Sequence, residues 1–212
     1  MINATNKSSG TDFQPIAAGS YPARCYSMIH IGTVEEEILG TKKILNKVRI
    51  FWELPTELKV FKVENGEQPS AISKEFNLSM NEKANLRKML EGWRGKGFTE
   101  SEAENFDITK LLGKACLINV IHKTAKTGSK VYAEISSISA LPKGFECPPQ
   151  VNKTFEFNYD NFDQKVFDSL PDYLKDKMKQ SEEYAAIQFN QHQAFDLKDQ
   201  PQQSNGVDDL PF

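Results

Sequence analysis

Lys47-Val48-Arg49-Ile50-Phe51-Trp52-Glu53-Leu54 alternates so regularly that its two faces can be read separately. Successive side chains of a strand point to opposite sides of the sheet, which puts Val48, Ile50, Trp52 and Leu54 together and Lys47, Arg49, Phe51 and Glu53 opposite them. The β-branched and aromatic content, closed by Leu54-Pro55, predicts a strand with one buried face and one free face. The free face is basic and aromatic. Cations neutralise phosphates and an aromatic ring accepts a stacked base, so such a face suits a flexible polyanion. From this strand alone, a solvated face with an incidental Phe51 is the favoured reading.

Working outward, residues 21–31 alternate in the same way. Ala23, Cys25, Ser27, Ile29 and Ile31 share one side; Arg24, Tyr26, Met28 and His30 share the other, again cationic and aromatic. Beyond the central strand come 58–63, the turn Glu64-Asn65-Gly66-Glu67, and 72–78, with Asn65-Gly66 a hairpin signal. Ser79-Met80-Asn81-Glu82 reads as a capping box opening a helix whose apolar side is Leu86, Met89, Leu90 and Trp93 and which ends near Gly95. A second box, Thr99-Glu100-Ser101-Glu102, opens a short helix, and Asp107 opens a further turn before Gly113. Residues 116–122 are apolar on both faces and therefore central. Residues 131–138 return the chain, with Val131, Ala133 and Ile135 inward and Lys130, Tyr132 and Glu134 outward.

Mainly β structure with helices inserted between the third and fourth of five strand regions is the order of an OB-fold, a small five-stranded barrel. The predicted organisation is a disordered leader over 1–18, the barrel over 19–145, a helical extension over 146–188 and a flexible linker with an acidic end over 189–212. Within the extension one helix is expected over 170–186, capped by Ser169 with Pro171 in its first turn. On this topology Arg24, Tyr26, Lys47, Arg49, Phe51 and Tyr132 share an outer surface, and Phe61 extends it. The loop 123–130 brings Lys123, Lys126 and Lys130 to a position where OB-folds grip nucleic acid.

The formal net charge of −3 is unevenly distributed. Residues 1–159 carry 21 Lys and Arg against 18 Asp and Glu, a balance of +3; residues 160–212 carry 5 against 11, a balance of −6. A basic body with an acidic appendage fits a nucleic-acid binder. Three cysteines without paired spacing indicate neither a disulfide framework nor a zinc site. No apolar run is long enough to cross a bilayer and the start lacks a secretory signal, so an intracellular, cytoplasmic protein is expected.

The chain finishes Asp208-Asp209-Leu210-Pro211-Phe212. This resembles the C-terminal tip of bacterial and phage single-stranded DNA-binding proteins, acidic and then hydrophobic-Pro-Phe, although its acidic run is short. Residues 19–144 are similar, less specifically, to phage-encoded OB-fold members of that family, through 47–55, 76–93, Leu111-Leu112-Gly113-Lys114 and Ala140-Leu141-Pro142-Lys143-Gly144. The resemblance implies sequence-tolerant DNA binding and protection, with Asp208, Asp209, Leu210, Pro211 and Phe212 docking replication, recombination or repair enzymes. It implies no catalysis and no cofactor. Two alternatives stay open: an interaction module that binds no nucleic acid, and a metal-dependent nuclease built on Glu35-Glu36-Glu37 or Glu100, Glu102 and Glu104. Phe167, Leu170, Tyr173, Leu174 and Met178 are expected either to pack on the barrel or to mediate self-association.

Overall fold

A computed structural model describes residues 14–125 and 130–196, with side chains to residue 190. The chain is mainly β. Its elements are β1 (Gly19–Ile38), β2 (Thr41–Val60), β3 (Glu67–Asn77), α1 (Asn85–Arg94), α2 (Glu100–Glu104), β4 (Ala115–Thr124), β5 (Val131–Ser139), β6 (Phe155–Phe157), α3 (Gln164–Asp168), α4 (Asp172–Met178) and α5 (Glu182–Asp196). The sheet runs β3-β2-β1-β4-β5, with β6 paired in parallel to β1 and with antiparallel β1–β4, β2–β3 and β4–β5 ladders. The hydrogen-bonded path is open, ending at β3 on one side and β5 on the other.

The chain divides into two compact units. One joins the chain up to His30 with Lys47–Asn158; the other joins Ile31–Asn46 with the residues from Tyr159 onward. The expected boundary at 145 thus falls inside the first unit, which extends through β6.

The core of the first unit follows the alternation. Val48, Ile50, Trp52 and Leu54 are all buried beside Ala23, Cys25, Cys116, Ile118, Val120 and Ile135. Burying a large apolar side chain contributes about 1.5–3 kcal/mol, so this face outweighs the modest strand propensities. Trp52 and Trp93 meet with ring centroids 6.0 Å apart. Helix α1 buries Leu86, Leu90 and Trp93 and packs against β5 and β3. Its middle approaches β5 so closely that a Cβ on Gly92 would lie 2.5 Å from the Ile138 carbonyl oxygen. The Thr99–Glu102 capping box forms as read, and Asp107 caps a 3-10 turn.

Within the first unit five residue-level expectations need correction. Helix α1 starts at Asn85, after an Ala84 that provides no side-chain cap; the Ser79 hydroxyl instead meets the Asn81 amide at 3.4 Å, a local turn that competes with the capping box. Pro55 does not end β2, which continues to Val60 through an irregularity between Leu54 and Leu58. Phe61 therefore lies just past β2, 55 % exposed, rather than on a third strand. Val131, expected inward, is 44 % exposed because it sits at the end of β5, beyond the core. Met28, expected on the free face of β1, is buried.

In the second unit β1 and β2 continue as a hairpin closed at Leu39 and Gly40, both with positive φ. The single helix expected over 170–186 is two, α4 and α5, with α3 ahead of them. Asp163 caps α3 by accepting from the Lys165 and Val166 amides, Ser169 ends that helix, and Pro171 precedes α4. The Ser181 hydroxyl accepts the Tyr184 amide at 3.1 Å at the start of α5, which runs past Phe189 to Asp196 where linker was expected. Glu183 fastens α5 to the hairpin, accepting the Thr33 amide at 2.7 Å and the Thr33 hydroxyl at 2.8 Å. Gly32, at φ 94, leaves room for this, since a Cβ there would lie 2.6 Å from Glu183 Oε2. Phe167, Leu170, Leu174 and Met178 are buried, whereas Tyr173 is 54 % exposed.

Candidate nucleic-acid interface

The outer face of the first unit is where the sequence places the binding residues, and the β2–β3 register shows what surrounds them. Arg49 pairs with Glu75, Lys47 with Asn77, Phe51 with Ser73 and Glu53 with Ala71. Lys47 Nζ donates to Glu75 Oε1 at 2.8 Å, and Arg49 Nη1 lies 3.9 Å from Glu75 Oε2 while its Nε donates to the Ser73 hydroxyl at 3.1 Å. One carboxylate thus serves two cations. Lys47 is only 7 % exposed, its stem buried against the sheet.

Arg24 and Glu53 clasp a segment of the same unit. Arg24 donates from Nε to the Pro148 carbonyl at 2.6 Å, from Nη2 to Cys147 at 2.9 Å and from Nη1 to Gly113 at 3.2 Å. Glu53, fully buried, accepts the amides of Val151 and Asn152, both at 2.8 Å, and the Asn152 side-chain amide at 2.7 Å. Residues 147–152 therefore cross the part of the face that carries these two residues. Carbonyl partners leave the guanidinium charge of Arg24 in place, whereas Glu75 offsets one of the two cations beside it. With Glu53 included, three cations stand against two carboxylates, and the face is weakly basic.

Tyr26 and Phe51 are brought together. Their rings lie 6.3 Å apart at 57°, joining β1 to β2 on the outer side, and both are half-buried. Tyr132 is 42 % exposed and sits opposite Lys123 in the β4–β5 ladder. Lys123 bonds Glu134 at 2.9 Å, which holds its ammonium above its ordinary pKa through that hydrogen bond and charge. Lys130 is exposed at the foot of β5. Lys126 and the tip residues Asp208, Asp209, Leu210, Pro211 and Phe212 lie outside the described residues.

These groups do not converge on one spot. Arg24 is level with Ala115 on β4, and Tyr132 is level with Lys123, eight residues further along the same strand. At about 3.3 Å per residue the two clusters stand roughly 26 Å apart along β4. The outer surface is a track with aromatic groups near its two ends.

Four of the six carboxylates named for a nuclease site are engaged in ion pairs, Glu35 with Lys42 and Glu36 with Lys177 among them. Glu100 and Glu102 bond Arg87 and Arg94, and among the described residues no group of three or more His, Cys, Asp or Glu is placed to hold a metal ion. No described helix is long and apolar enough to cross a membrane. Burial pushes the Cys25 thiol up to about 12, and raises Cys116 and Cys147 as well.

No family model, curated protein or solved structure matches this chain.

Sequence reading missed Glu75 and the segment 147–152. The signal for Glu75 was present, since Ser73, Glu75 and Asn77 alternate with the buried Ile72 and Phe76. Nothing local to 147–152 marks it as a covering strap.

Proposed function

We propose that this chain binds single-stranded DNA without sequence preference and without catalysis, along the outer face of a sheet derived from the OB-fold barrel. The observation that carries the reading is the Tyr26–Phe51 ring pair on adjacent strands, flanked by Arg24 and Arg49. Aromatic stacking contributes about 1–3 kcal/mol per base and tolerates any base, because every base has a π-face. Tyr132, with Lys123 and Lys130, provides a second contact at the far end of the track. The sheet order supports the barrel assignment: β1 pairs with both β2 and β4, and the Lys74 ammonium donates to the Ile135 carbonyl at 2.6 Å, bridging the two open edges. The C-terminal Asp-Asp-Leu-Pro-Phe adds the partner-docking role, with Phe212 filling an apolar pocket and the aspartates meeting a basic rim.

One observation favours a second reading. Arg24 and Glu53 are taken up by residues 147–152, as on a surface that packs protein rather than nucleic acid. Replacing Tyr26 and Phe51 by Ala decides between them. Loss of affinity for labelled oligo-dT supports the DNA track; binding unchanged from wild type removes these rings from the site, and no binding by the wild type leaves the interaction module.

A further inference from the structure

The cations singled out by sequence on β1 and β2 are already in contact with partners in the fold. Others are not. Two adjoining clefts share Lys74, Phe76 and Asn85 as walls: one of about 320 Å³ between α1, β3 and β5, and one of about 360 Å³ between β3, residues 79–84 and the start of α1. Lys88 lines the first and Lys83 the second. Both lysines are exposed, and neither makes an ion pair among the described residues. Among the described residues the one carboxylate lining either cleft is Glu75, which is engaged with Lys47 and Arg49.

The first cleft lies where the sheet does not close, between β3 and β5. Lys74 occupies the inward-facing position between Ile72 and Phe76, where an apolar residue would continue the core, and its ammonium reaches the Ile135 carbonyl on β5. A lysine pointing inward on an edge strand blocks further strand pairing there. It also brings a third cation to the seam. The remaining walls mix apolar surface from Phe76 and Met89 with the polar Asn85 and Ser137.

We propose that this seam binds the phosphodiester backbone of single-stranded DNA, with Lys83 and Lys88 as the phosphate-neutralising residues and Met89 as a surface for one base. The proposal rests on the DNA-binding reading above and deepens it by giving the strand a second, more basic contact. Volumes near 300 Å³ are at the small end of ligand sites and suit one nucleotide unit rather than a folded partner. Charge complementarity selects the occupant: three cations face one shared carboxylate.

The test uses the full chain, fluorescein-labelled oligo-dT and anisotropy titrations across a range of salt concentrations. For single strands each neutralised phosphate contributes about 0.7 to the slope of log K against log salt, so Lys83→Gln with Lys88→Gln lowers the slope by about 1.4. Lys110→Gln with Lys143→Gln, also exposed, leaves the slope unchanged. Binding by wild type with an unaltered slope in the cleft variant, or an equal loss in the control variant, overturns the seam while leaving the DNA reading intact. No binding by wild type overturns both. As a measurement without substitutions, photocrosslinking of 5-iododeoxyuridine oligonucleotides to the wild-type chain labels 74–89 or 135–138; labels confined to other residues overturn the seam.

Discussion

Removing the Glu53 carboxylate should release the strap over the outer face. Glu53 lies two residues beyond Phe51 on the same side of β2, is fully buried, and accepts three hydrogen bonds of 2.7–2.8 Å from Val151 and Asn152. Hydrogen bonds to a charged group are worth about 1.5–3 kcal/mol each, and such bonds are not additive. Val151 is 56 % exposed, so freed amides reach water and the cost falls well below the sum. Glu53→Ala is therefore expected to destabilise the first unit by about 3 kcal/mol. At roughly 2–4 °C per kcal/mol for a chain of this size, the melting temperature drops by roughly 6–12 °C. Glu53→Gln keeps the shape but turns a donor toward donors, and is expected to cost less. Differential scanning calorimetry measures the shift, and limited proteolysis locates it, with faster cleavage within 146–154. Arg24 holds the same segment from its other end, so Arg24→Met combined with Glu53→Ala should depart from additivity by about 1 kcal/mol. A melting temperature unchanged within about 1 °C, with an unaltered cleavage pattern, would refute the clasp.

Other outcomes follow from the same packing. Gly92→Ala gains about 1 kcal/mol of helix propensity, yet its Cβ would meet the Ile138 carbonyl oxygen at 2.5 Å, so net destabilisation in urea unfolding is expected. The three thiols, buried and with raised pKa values, should be inert to Ellman's reagent at pH 8 in the native chain and react fully when it is unfolded. Glu91 and Glu102 are held below their ordinary 4.5, first by the Phe98 and Thr99 amides and then by Arg87 and Arg94; Asp107 is held below 3.8 by Thr109. Depressed carboxylates stabilise the fold above their unfolded pKa values, and that contribution is lost as pH falls below 4.5 through the folded values. Urea midpoints should therefore decline on acidification across that window.

How far the sequence reading reached depended on whether the deciding contacts were local. Val48, Ile50, Trp52 and Leu54 went inward because period-two alternation is a property of the strand itself, and the Thr99–Glu102 cap formed because its partners lie three residues apart. Ser79 carries the same spacing to Glu82, but its hydroxyl turns to Asn81, and the helix waits for Asn85. The long hairpin, with β1 and β2 of 20 residues each, was hidden by Glu35-Glu36-Glu37 and Pro55, which read as breaks but sit at exposed or irregular positions.

The proposed binding face was legible as a face and not as an environment. Alternation told which side Lys47, Arg49 and Glu53 occupy. It could not tell that Glu75 sits across from Arg49, or that residues 147–152, about a hundred positions away, close over Glu53. The inward Lys74 was visible in the same alternation, as a charge between Ile72 and Phe76, and its role emerges only with the open seam it faces.

Both tryptophans are buried, so an extrinsic label on the DNA reports binding more directly than intrinsic fluorescence. The decisive measurement is the anisotropy of labelled oligo-dT titrated with the full chain at two salt concentrations. The account predicts saturable binding that weakens as salt rises, because phosphate neutralisation supplies much of the affinity. Absence of any anisotropy change at the lower salt would contradict it.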